Sequence, residues 1–211
     1  IPPGFKEILH EDFEWDNIQV PANWEFKNYG SPYFGRHHLF GQNRQNTDEN
    51  PVSPAYLPVP ETANPVGLYR RSFLLPEQWK DKKVFIHFGA IKSAFYLWCN
   101  GTYVGYSEDS KLPAEFEITS FLREGSNHLT VKVHRFSDGS YLEKHDSWQV
   151  SGMEREVFLF ATEPVWLQDF FVRAGLTNHY KDGSLEISAK IKSYLSSNQN
   201  LTLEADLKNA Q

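Results

Sequence analysis

The chain has 211 residues, 15% of them aromatic, with a single cysteine and a formal net charge of −6. Because no lysine or arginine cluster offsets that charge, neither nucleic acid nor an anionic membrane is an expected partner. The lone Cys99 excludes intrachain disulfides and cysteine metal sites, and we expect it to be a small buried residue. Without an apolar run of about 18 residues or a signal-peptide pattern, the sequence predicts a soluble protein, either cytoplasmic or periplasmic.

Residues 1–66 predict an irregular segment. Seven prolines between Pro21 and Pro65 interrupt almost every possible element, while Trp15 and Trp24 belong to an aromatic content too high for disorder. We therefore expect this segment to wrap over the surface of a sheet.

From Leu68 onward, short alternating runs bounded by turn residues predict an all-β sandwich. Residues 69–74 and 84–88 form the first two runs, and no helix longer than about two turns is expected. Asn100-Gly101, between two aromatic-rich runs, predicts a two-residue hairpin turn.

Residues 116–118 predict another strand, after which Thr119 is placed to cap one helical turn that runs through Leu122 and ends at Gly125. The next strand alternates, so one face should be buried and the other should meet water. The buried face is Leu129, Val131 and Val133, and the other is Thr130, Lys132 and His134.

A second domain is predicted to begin near residue 164, after a strand at 156–160 and a linker at 161–164. Three candidate strands follow, at residues 166–173, 185–191 and 201–207. Because an immunoglobulin-like sandwich of seven strands takes roughly 100 residues, we expect residues 164–211 to be the start of such a domain, cut short.

Asp138 is the leading candidate for a site residue, because it follows the alternating strand in a turn of small and polar residues. A carboxylate on a turn can accept sugar hydroxyls or ligate a hard cation such as Na⁺ or Ca²⁺. It can equally bond nearby backbone N–H groups and serve only the turn. Residue spacing alone favours the second interpretation, in which Asp138 only stabilises the turn.

The other candidates are weaker. Tyr103, Tyr106, Tyr141 and Trp148 could stack on a sugar ring, although for Trp148 a place in the core is the favoured reading. The close acidic pairs Glu108/Asp109 and Glu143/Asp146 lie in polar sequence that would not raise a carboxyl pKa, so neither is taken as a catalytic pair. The histidines lack metal-ligand spacing, and the acids of residues 11–16 are expected to be solvated. Those histidines are His37, His38, His87, His134 and His145.

Several runs together resemble the amino-terminal domain of the glycoside hydrolase family 2 β-galactosidases of the large bacterial type. The resemblance extends in order over about residues 12–163. The runs are Asn64-Pro-Val-Gly-Leu-Tyr69, Ser93-Ala-Phe-Tyr-Leu-Trp-Cys-Asn-Gly-Thr-Tyr-Val-Gly-Tyr106, Asp109-Ser-Lys-Leu-Pro-Ala-Glu-Phe116, Ser137-Asp-Gly-Ser-Tyr-Leu-Glu143 and Asp146-x-Trp148-x-x-Ser-Gly152-x-x-Arg155.

This resemblance implies a jelly-roll sandwich, also described as galactose-binding-domain-like, over residues 1–163. An immunoglobulin-like domain and a TIM barrel would follow, and the barrel's glutamates would be the acid/base and the nucleophile. Asp138 matches the aspartate that reaches from this domain to galactose hydroxyls and a Na⁺ ion. The resemblance also implies Na⁺ and Mg²⁺ for the complete enzyme, which could be a homo-oligomer, but no catalytic residue and no required cofactor in this chain.

Two departures from the family pattern stand out. The loop at residues 36–50 is longer than in the family, so the asparagine that the family supplies there cannot be assigned. Glu154 replaces a residue that tends to be apolar. Two alternatives remain open: an autonomous carbohydrate-binding module, or the same domain of an enzyme for another β-glycoside, such as a glucuronide or mannoside.

Overall fold

The computed structural model describes residues 1–34, 59, 64–143, 148–197 and 200–208, and the chain divides into two compact units, Ile1–Ala161 and Thr162–Gln211. The described residues form fourteen strands and one α-helix of a single turn, α1 (Ser140–Glu143). The strands are β1 (Ala22–Asn23), β2 (Tyr33–Phe34), β3 (Val66–Phe73), β4 (Lys83–Phe88), β5 (Ile91–Lys92), β6 (Ala94–Cys99), β7 (Thr102–Glu108), β8 (Ala114–Glu117), β9 (Asn127–His134), β10 (Trp148–Gln149), β11 (Gly152–Met153), β12 (Val157–Thr162), β13 (Val165–Thr177) and β14 (Asp182–Ser193). No helix in these described ranges is long and apolar enough to cross a membrane.

The largest sheet has four antiparallel strands in the order β3-β9-β6-β7. The predicted hairpin joins β6 to β7, and Asn100 and Gly101 both have positive φ angles, 51° and 82°, which a two-residue turn of this kind requires. On β9 the predicted inward residues Leu129, Val131 and Val133 are 7%, 4% and 0% exposed. The alternation of β9 therefore places one whole face of this sheet against the core.

A three-stranded sheet, β12-β4-β8, covers that face. Phe88 of β4 packs on Phe95 of β6 with ring centroids 4.9 Å apart, and Phe116 of β8 contacts both rings edge-on. Cys99 is fully buried in the same core, and burial raises the pKa of its thiol to about 11. The first unit is the all-β sandwich that the sequence predicts.

Two small sheets, β1-β11-β5 and β2-β10, complete the first unit. Gly152 in β11 has a φ of 122°, and a Cβ atom there would lie 2.7 Å from the carbonyl oxygen of Ala22. Only glycine permits this approach of β1 to β11.

The beginning of the N-terminal segment crosses the outer face of the four-stranded sheet, in line with the prediction that it wraps over a sheet, whereas Ile18, Val20 and Trp24 pack against the core. Arg70 of β3 donates hydrogen bonds to the carbonyl oxygens of Phe5 and Glu7 at 2.6 and 2.9 Å. The Phe5 ring meets Trp98 edge-on at 5.5 Å. Thr130 pairs with both Arg70 and Trp98, and it is only 2% exposed. The expectation that Thr130 faces water is therefore wrong, because this segment covers the sheet there.

Two local predictions also differ from the structure. The turn at Thr119–Phe121 is a 3₁₀ helix, and the Thr119 hydroxyl accepts a hydrogen bond from Val84 N (2.9 Å) instead of capping its own turn. Gly125 lies in a later bend, with a φ of 77°. Residues 201–207 form no strand, and none of the described strands pairs with them.

In the second unit, β13 and β14 form one antiparallel hairpin that pairs Val165 with Ser193 at one end and Thr177 with Asp182 at the other. Several of its large apolar side chains are exposed, including Phe170 (64%) and Phe171 (59%). That this unit is the start of an immunoglobulin-like sandwich remains a prediction.

We expect backbone amides in β13 and β14 to exchange with solvent much faster than those of β6 and β9. Each strand of a two-stranded hairpin has an unpaired edge, and few buried contacts oppose its opening. Hydrogen exchange on a dilute monomer, read by mass spectrometry, measures the difference. Uniformly strong protection of β13 and β14 would contradict the expectation.

Candidate functional site

Asp138 lies at the tip of a closed turn between β9 and α1. Ser137 N donates to Ser140 Oγ (2.9 Å), and Ser140 N donates back to the Ser137 carbonyl oxygen (3.1 Å). Glu143 N donates to the carbonyl oxygen of Gly139 at 3.0 Å and closes the single turn of α1. Ser137 and Ser140 are buried while Asp138 is exposed, so the turn fixes the backbone and leaves the carboxylate facing outward.

Asn64 anchors the start of this turn. Its side-chain amide donates to the Phe136 carbonyl oxygen (2.8 Å) and accepts from Phe136 N (2.9 Å). One residue earlier, Arg135 N donates to the carbonyl oxygen of Pro65 at 3.0 Å. The residues just before β3 therefore hold the backbone just after β9, up to two residues before Asp138.

A buried ion pair lies beneath the same turn. Arg135 Nε is 3.6 Å from Glu25 Oε1, and the two side chains are 12% and 0% exposed. Arg135 also donates to the Ser31 and Gln149 carbonyl oxygens at 2.8 and 3.3 Å, while Glu25 Oε2 accepts from Ser151 N at 2.9 Å. These bonds tie the N-terminal segment and residues 149–151 to the end of β9.

Glu143 holds the turn from its other side. Its carboxylate accepts hydrogen bonds from Ser110 N (2.9 Å) and from the Ser110 hydroxyl. Glu143 thus joins α1 to the loop between β7 and β8. Asp146, the other member of the pair Glu143/Asp146, lies outside the described residues. In the other acidic pair, Glu108 accepts a hydrogen bond from the Tyr106 hydroxyl at 2.8 Å.

The Asp138 carboxylate has no hydrogen-bond partner within residues 1–34, 64–143 and 148–197. Its charge nevertheless acts on Tyr106: burial and the hydrogen bond to Glu108 raise the pKa of that phenol, and Asp138 adds to the rise. Within these ranges no backbone N–H donates to the carboxylate, and the role of Asp138 in binding stays a prediction.

One exposed carboxylate fits a hard cation such as Na⁺ as a single ligand. Such a cation needs several more oxygens, however, and the described residues contain no cluster of three or more His, Cys, Asp or Glu able to hold a metal ion. Asp138 therefore does not form a complete cation site with the other described residues.

Glu154, the departure from the family pattern, has a structural explanation. Asn23 Nδ2 donates to its Oε1 at 3.0 Å, and Lys111 forms an ion pair with its other oxygen. Burial and Lys111 lower the pKa of nearby Lys92, while Glu154 partly opposes that shift. Glu154, directly after β11, thus links β1 to the loop that carries Ser110 through polar contacts.

The predicted stacking aromatics separate into two groups. Tyr103 and Tyr106 are 50% and 40% exposed on the outer face of the four-stranded sheet. Trp148 is 57% exposed in β10, so the reading that places it in the core is wrong. Only the backbone of Tyr141 is described, within α1.

Three of the remaining sequence candidates have structural partners. Asp12 pairs with Arg70 at 2.7 Å, and Asp16 accepts the Tyr29 hydroxyl at 2.7 Å. His87 Nδ1 lies 2.8 Å from a Glu115 carboxylate oxygen. His37, His38 and His145 fall outside the described residues.

Sequence reasoning missed Asn64, Arg135 and Glu25 as parts of this site. Asn64 is the first residue of one of the runs that resemble the family, and Arg135 directly precedes Phe136. Their positions in the sequence gave only a weak indication that they belong to this site. Three of their hydrogen bonds join residues 72, 104 and 126 positions apart along the chain, which no local pattern reveals.

Comparison with known proteins identifies the family. The family described as "Glycosyl hydrolases family 2, sugar binding domain" matches residues 8–164. The chain belongs to this family, and its first unit is the jelly-roll-like sandwich that the resemblance implies.

Two relatives carry the name β-galactosidase. The protein from Priestia megaterium is 44% identical over 93% of this chain, and that from Psychromonas ingrahamii is 38% identical over 90%. The chain spans only 18% and 17% of their lengths.

Solved structures share the fold. A β-glycosidase from Bacteroides vulgatus matches 93% of this chain and 23% of its own, with a TM-score of 0.65 and 23% identity. A Bacteroides uniformis β-glucuronidase matches 90% of this chain and 20% of its own, with a TM-score of 0.68 and 20% identity. At these identities the likeness concerns the fold alone.

Replacing Asn64 by alanine should loosen the Asp138 turn. The change removes both hydrogen bonds to the Phe136 backbone, which we expect to lower the free energy of unfolding by about 1–3 kcal/mol. Urea denaturation measures that loss, and hydrogen exchange should show a less protected Phe136 amide. Asn17→Ala at an exposed position is the control. Unchanged Phe136 exchange in Asn64→Ala would contradict this account of the anchor.

Proposed function

We propose that this chain is the N-terminal portion of a retaining β-galactosidase, which removes terminal non-reducing β-D-galactose residues from β-D-galactosides. The observation that carries the proposal is the 38–44% identity to proteins named β-galactosidase over 90–93% of the chain. Because the chain spans less than a fifth of those relatives, the catalytic glutamates belong to a later TIM-barrel domain.

In this proposal Asp138 is the contribution of the first unit to the active site. An ionised carboxylate on a fixed turn accepts hydroxyl protons from galactose and offers an oxygen to Na⁺ without rearrangement. Its exposure and its anchoring by Asn64 and Glu143 support that role. The rigid turn holds the carboxylate ready, so that little ordering is needed on binding.

The domains that follow are the main partners of this unit. The immunoglobulin-like domain begins in residues 164–211, and the barrel completes both the sugar site and the Na⁺ site. Mg²⁺ belongs to the later domains. The complete enzyme could also assemble as a homo-oligomer.

A galactoside is favoured over another β-glycoside by the sequence comparison. The structural neighbours named β-glucuronidase are about 20% identical and concern the fold alone, whereas the β-galactosidases are about twice as similar in sequence. Assaying the complete enzyme on aryl β-galactoside, β-glucuronide and β-mannoside decides between them.

Asp138→Asn should lower the activity of the complete enzyme about 100-fold without unfolding it. The change removes a charged acceptor from galactose and from Na⁺, and hydrogen bonds to charged groups contribute about 1.5–3 kcal/mol each. Steady-state kinetics should also show a flatter Na⁺ dependence. Asp81→Asn, on another exposed turn, is the matched control. Wild-type activity in Asp138→Asn would refute the assigned role.

The 211-residue chain alone should show no turnover of an aryl β-galactoside. In the proposal both glutamates that the reaction requires, the acid/base and the nucleophile, belong to a later domain. The assay is release of the aryl group at high protein concentration. Turnover by this chain that disappears in Asp138→Asn would place catalysis within this unit. It would contradict the proposal that the catalytic glutamates lie in a later domain.

A further inference from the structure

Lys92 of β5 carries a positive charge into the interior of the first unit. The residue is only 8% exposed, and its ammonium forms no hydrogen bond or ion pair with another residue of the described ranges. Burial of an ammonium is costly unless negative charge lies near it. The carboxylates around Lys92 therefore have to compensate its charge.

Strand pairing places Lys92 beside the origin of the Asp138 turn. Lys92 pairs with Gly152 of β11, which pairs on its other side with β1. The next residue, Ser93, donates from its backbone N and from its hydroxyl to the carbonyl oxygen of His134, at 3.0 and 3.1 Å. Because β9 ends at His134, these bonds hold Lys92 next to the point where the turn begins.

Three carboxylates act on the Lys92 ammonium. Burial and the charge of Lys111 lower the pKa of Lys92, while the charges of Glu154, Glu143 and Glu25 oppose that shift. The carboxylates come from separate parts of the chain: the residue after β11, the helix α1 and the N-terminal segment. A single ammonium thus interacts electrostatically with all the segments that surround the turn.

Two of these carboxylates have a cation of their own. Arg135 Nε lies 3.6 Å from Glu25 Oε1, and Lys111 forms an ion pair with Glu154. In each pair one positive charge balances one negative charge. Neither carboxylate depends on Lys92 for a counter-charge.

Glu143 is the third carboxylate, and its partners within the described residues are uncharged. It accepts hydrogen bonds from Ser110 N at 2.9 Å and from the Ser110 hydroxyl, and Ser110 is 1% exposed. Lys92 supplies the positive charge that these partners lack. Without Lys92, a net negative charge would lie beneath the turn that carries the negative Asp138.

We propose that Lys92 is a positioning residue of the Asp138 turn and that it acts through Glu143. Its ammonium compensates the Glu143 carboxylate, which stays bound to Ser110 and so keeps α1 joined to the loop between β7 and β8. Asp138 lies two residues before α1, so this junction helps to set the position of its carboxylate. The inference rests on the proposed function, in which Asp138 contributes to the active site.

The charge of Lys92, more than its volume, has this effect. Removing one member of a compensated buried pair leaves the other charge unpaired, whereas removing both is much less damaging. Lys92→Met removes the charge and keeps a long side chain, and Lys92→Arg keeps the charge. Lys92 and Glu143 should therefore be energetically coupled, which a lysine that only fills space would not show.

Hydrogen exchange at the Ser110 amide in the complete enzyme tests this coupling, because that amide donates to Glu143. Lys92→Met should speed the exchange about ten-fold, since an uncompensated carboxylate turns toward water and releases the amide. Lys92→Arg should remain within about three-fold of wild type. In a Glu143→Gln background, where no charge needs compensation, Lys92→Met should add less than about two-fold. Lys80→Met, at an exposed lysine, is the matched control.

Steady-state kinetics of the complete enzyme on an aryl β-galactoside test the consequence for Asp138. Lys92→Met should lower kcat/KM about ten-fold through a misplaced carboxylate. Lys92→Arg and Lys80→Met should stay within about three-fold of wild type. In an Asp138→Asn background, Lys92→Met should add less than about three-fold, because the group that it positions is already impaired. A general loss of folded enzyme would lower activity equally in both backgrounds.

Four results would overturn the inference. They are unchanged Ser110 exchange in Lys92→Met, equal acceleration in the Glu143→Gln background, wild-type kcat/KM in Lys92→Met, and an undiminished activity loss in the Asp138→Asn background. If Lys92→Met does not fold, the double variant Lys92→Met/Glu143→Gln should recover folding by circular dichroism, and no recovery would equally overturn it. A wild-type enzyme without galactoside turnover would refute the proposed function, whereas the exchange measurements decide separately whether Lys92 holds Glu143.

Discussion

Burial of one face of β9 is the constraint on which the rest of the first unit depends. Leu129, Val131 and Val133 lie in the core, and β9 is paired along its length with β3 on one side and β6 on the other. A shift of one residue along those neighbours would turn the buried face toward water and expose the core. The register of β9 is therefore strongly fixed, and so is the point at which the strand ends and the turn carrying Asp138 begins.

The ion pair below that turn contributes specificity more than stability. Removing Arg135 and Glu25 from water is costly, and the attraction between them at 3.6 Å offsets only part of that cost. The hydrogen bonds to Ser31, Gln149 and Ser151 offset a further part, while Glu25 Oε1 and Arg135 Nε themselves make no hydrogen bond among the described residues. Because these partners come from separate parts of the chain, any other arrangement would leave a buried charge unpaired. The network thus favours one position for the N-terminal segment relative to the end of β9.

Local patterns in the sequence were sufficient to predict the elements, whereas the contacts between distant elements were not predictable from them. The positive φ angles at Asn100 and Gly101 and the buried face of β9 follow from residue type and period alone. The burial of Thr130 does not, because it depends on a segment more than 100 residues earlier in the chain that Arg70 and Trp98 hold in place. Likewise, Thr119 could cap its own turn, but Val84 N competes for its hydroxyl. Residues 201–207 have strand-like sequence and still require a neighbouring strand to pair with.

At the site, Asp138 was found by its position after β9, while Asn64 and Glu25 are recognisable only in the folded structure.

The charge of Asp138 reaches beyond its own turn. Burial and the hydrogen bond to Glu108 raise the pKa of the Tyr106 phenol, and the negative charge of Asp138 adds to that rise. A tyrosine hydroxyl is protonated at neutral pH with or without such a shift, so the ionisation of Tyr106 does not change there. The coupling follows from strand pairing, because Ala94 of β6 pairs with both His134 and Glu108 and so brings the end of β9 close to the end of β7. The register that buries one face of β9 therefore also decides which groups the charge of Asp138 acts on.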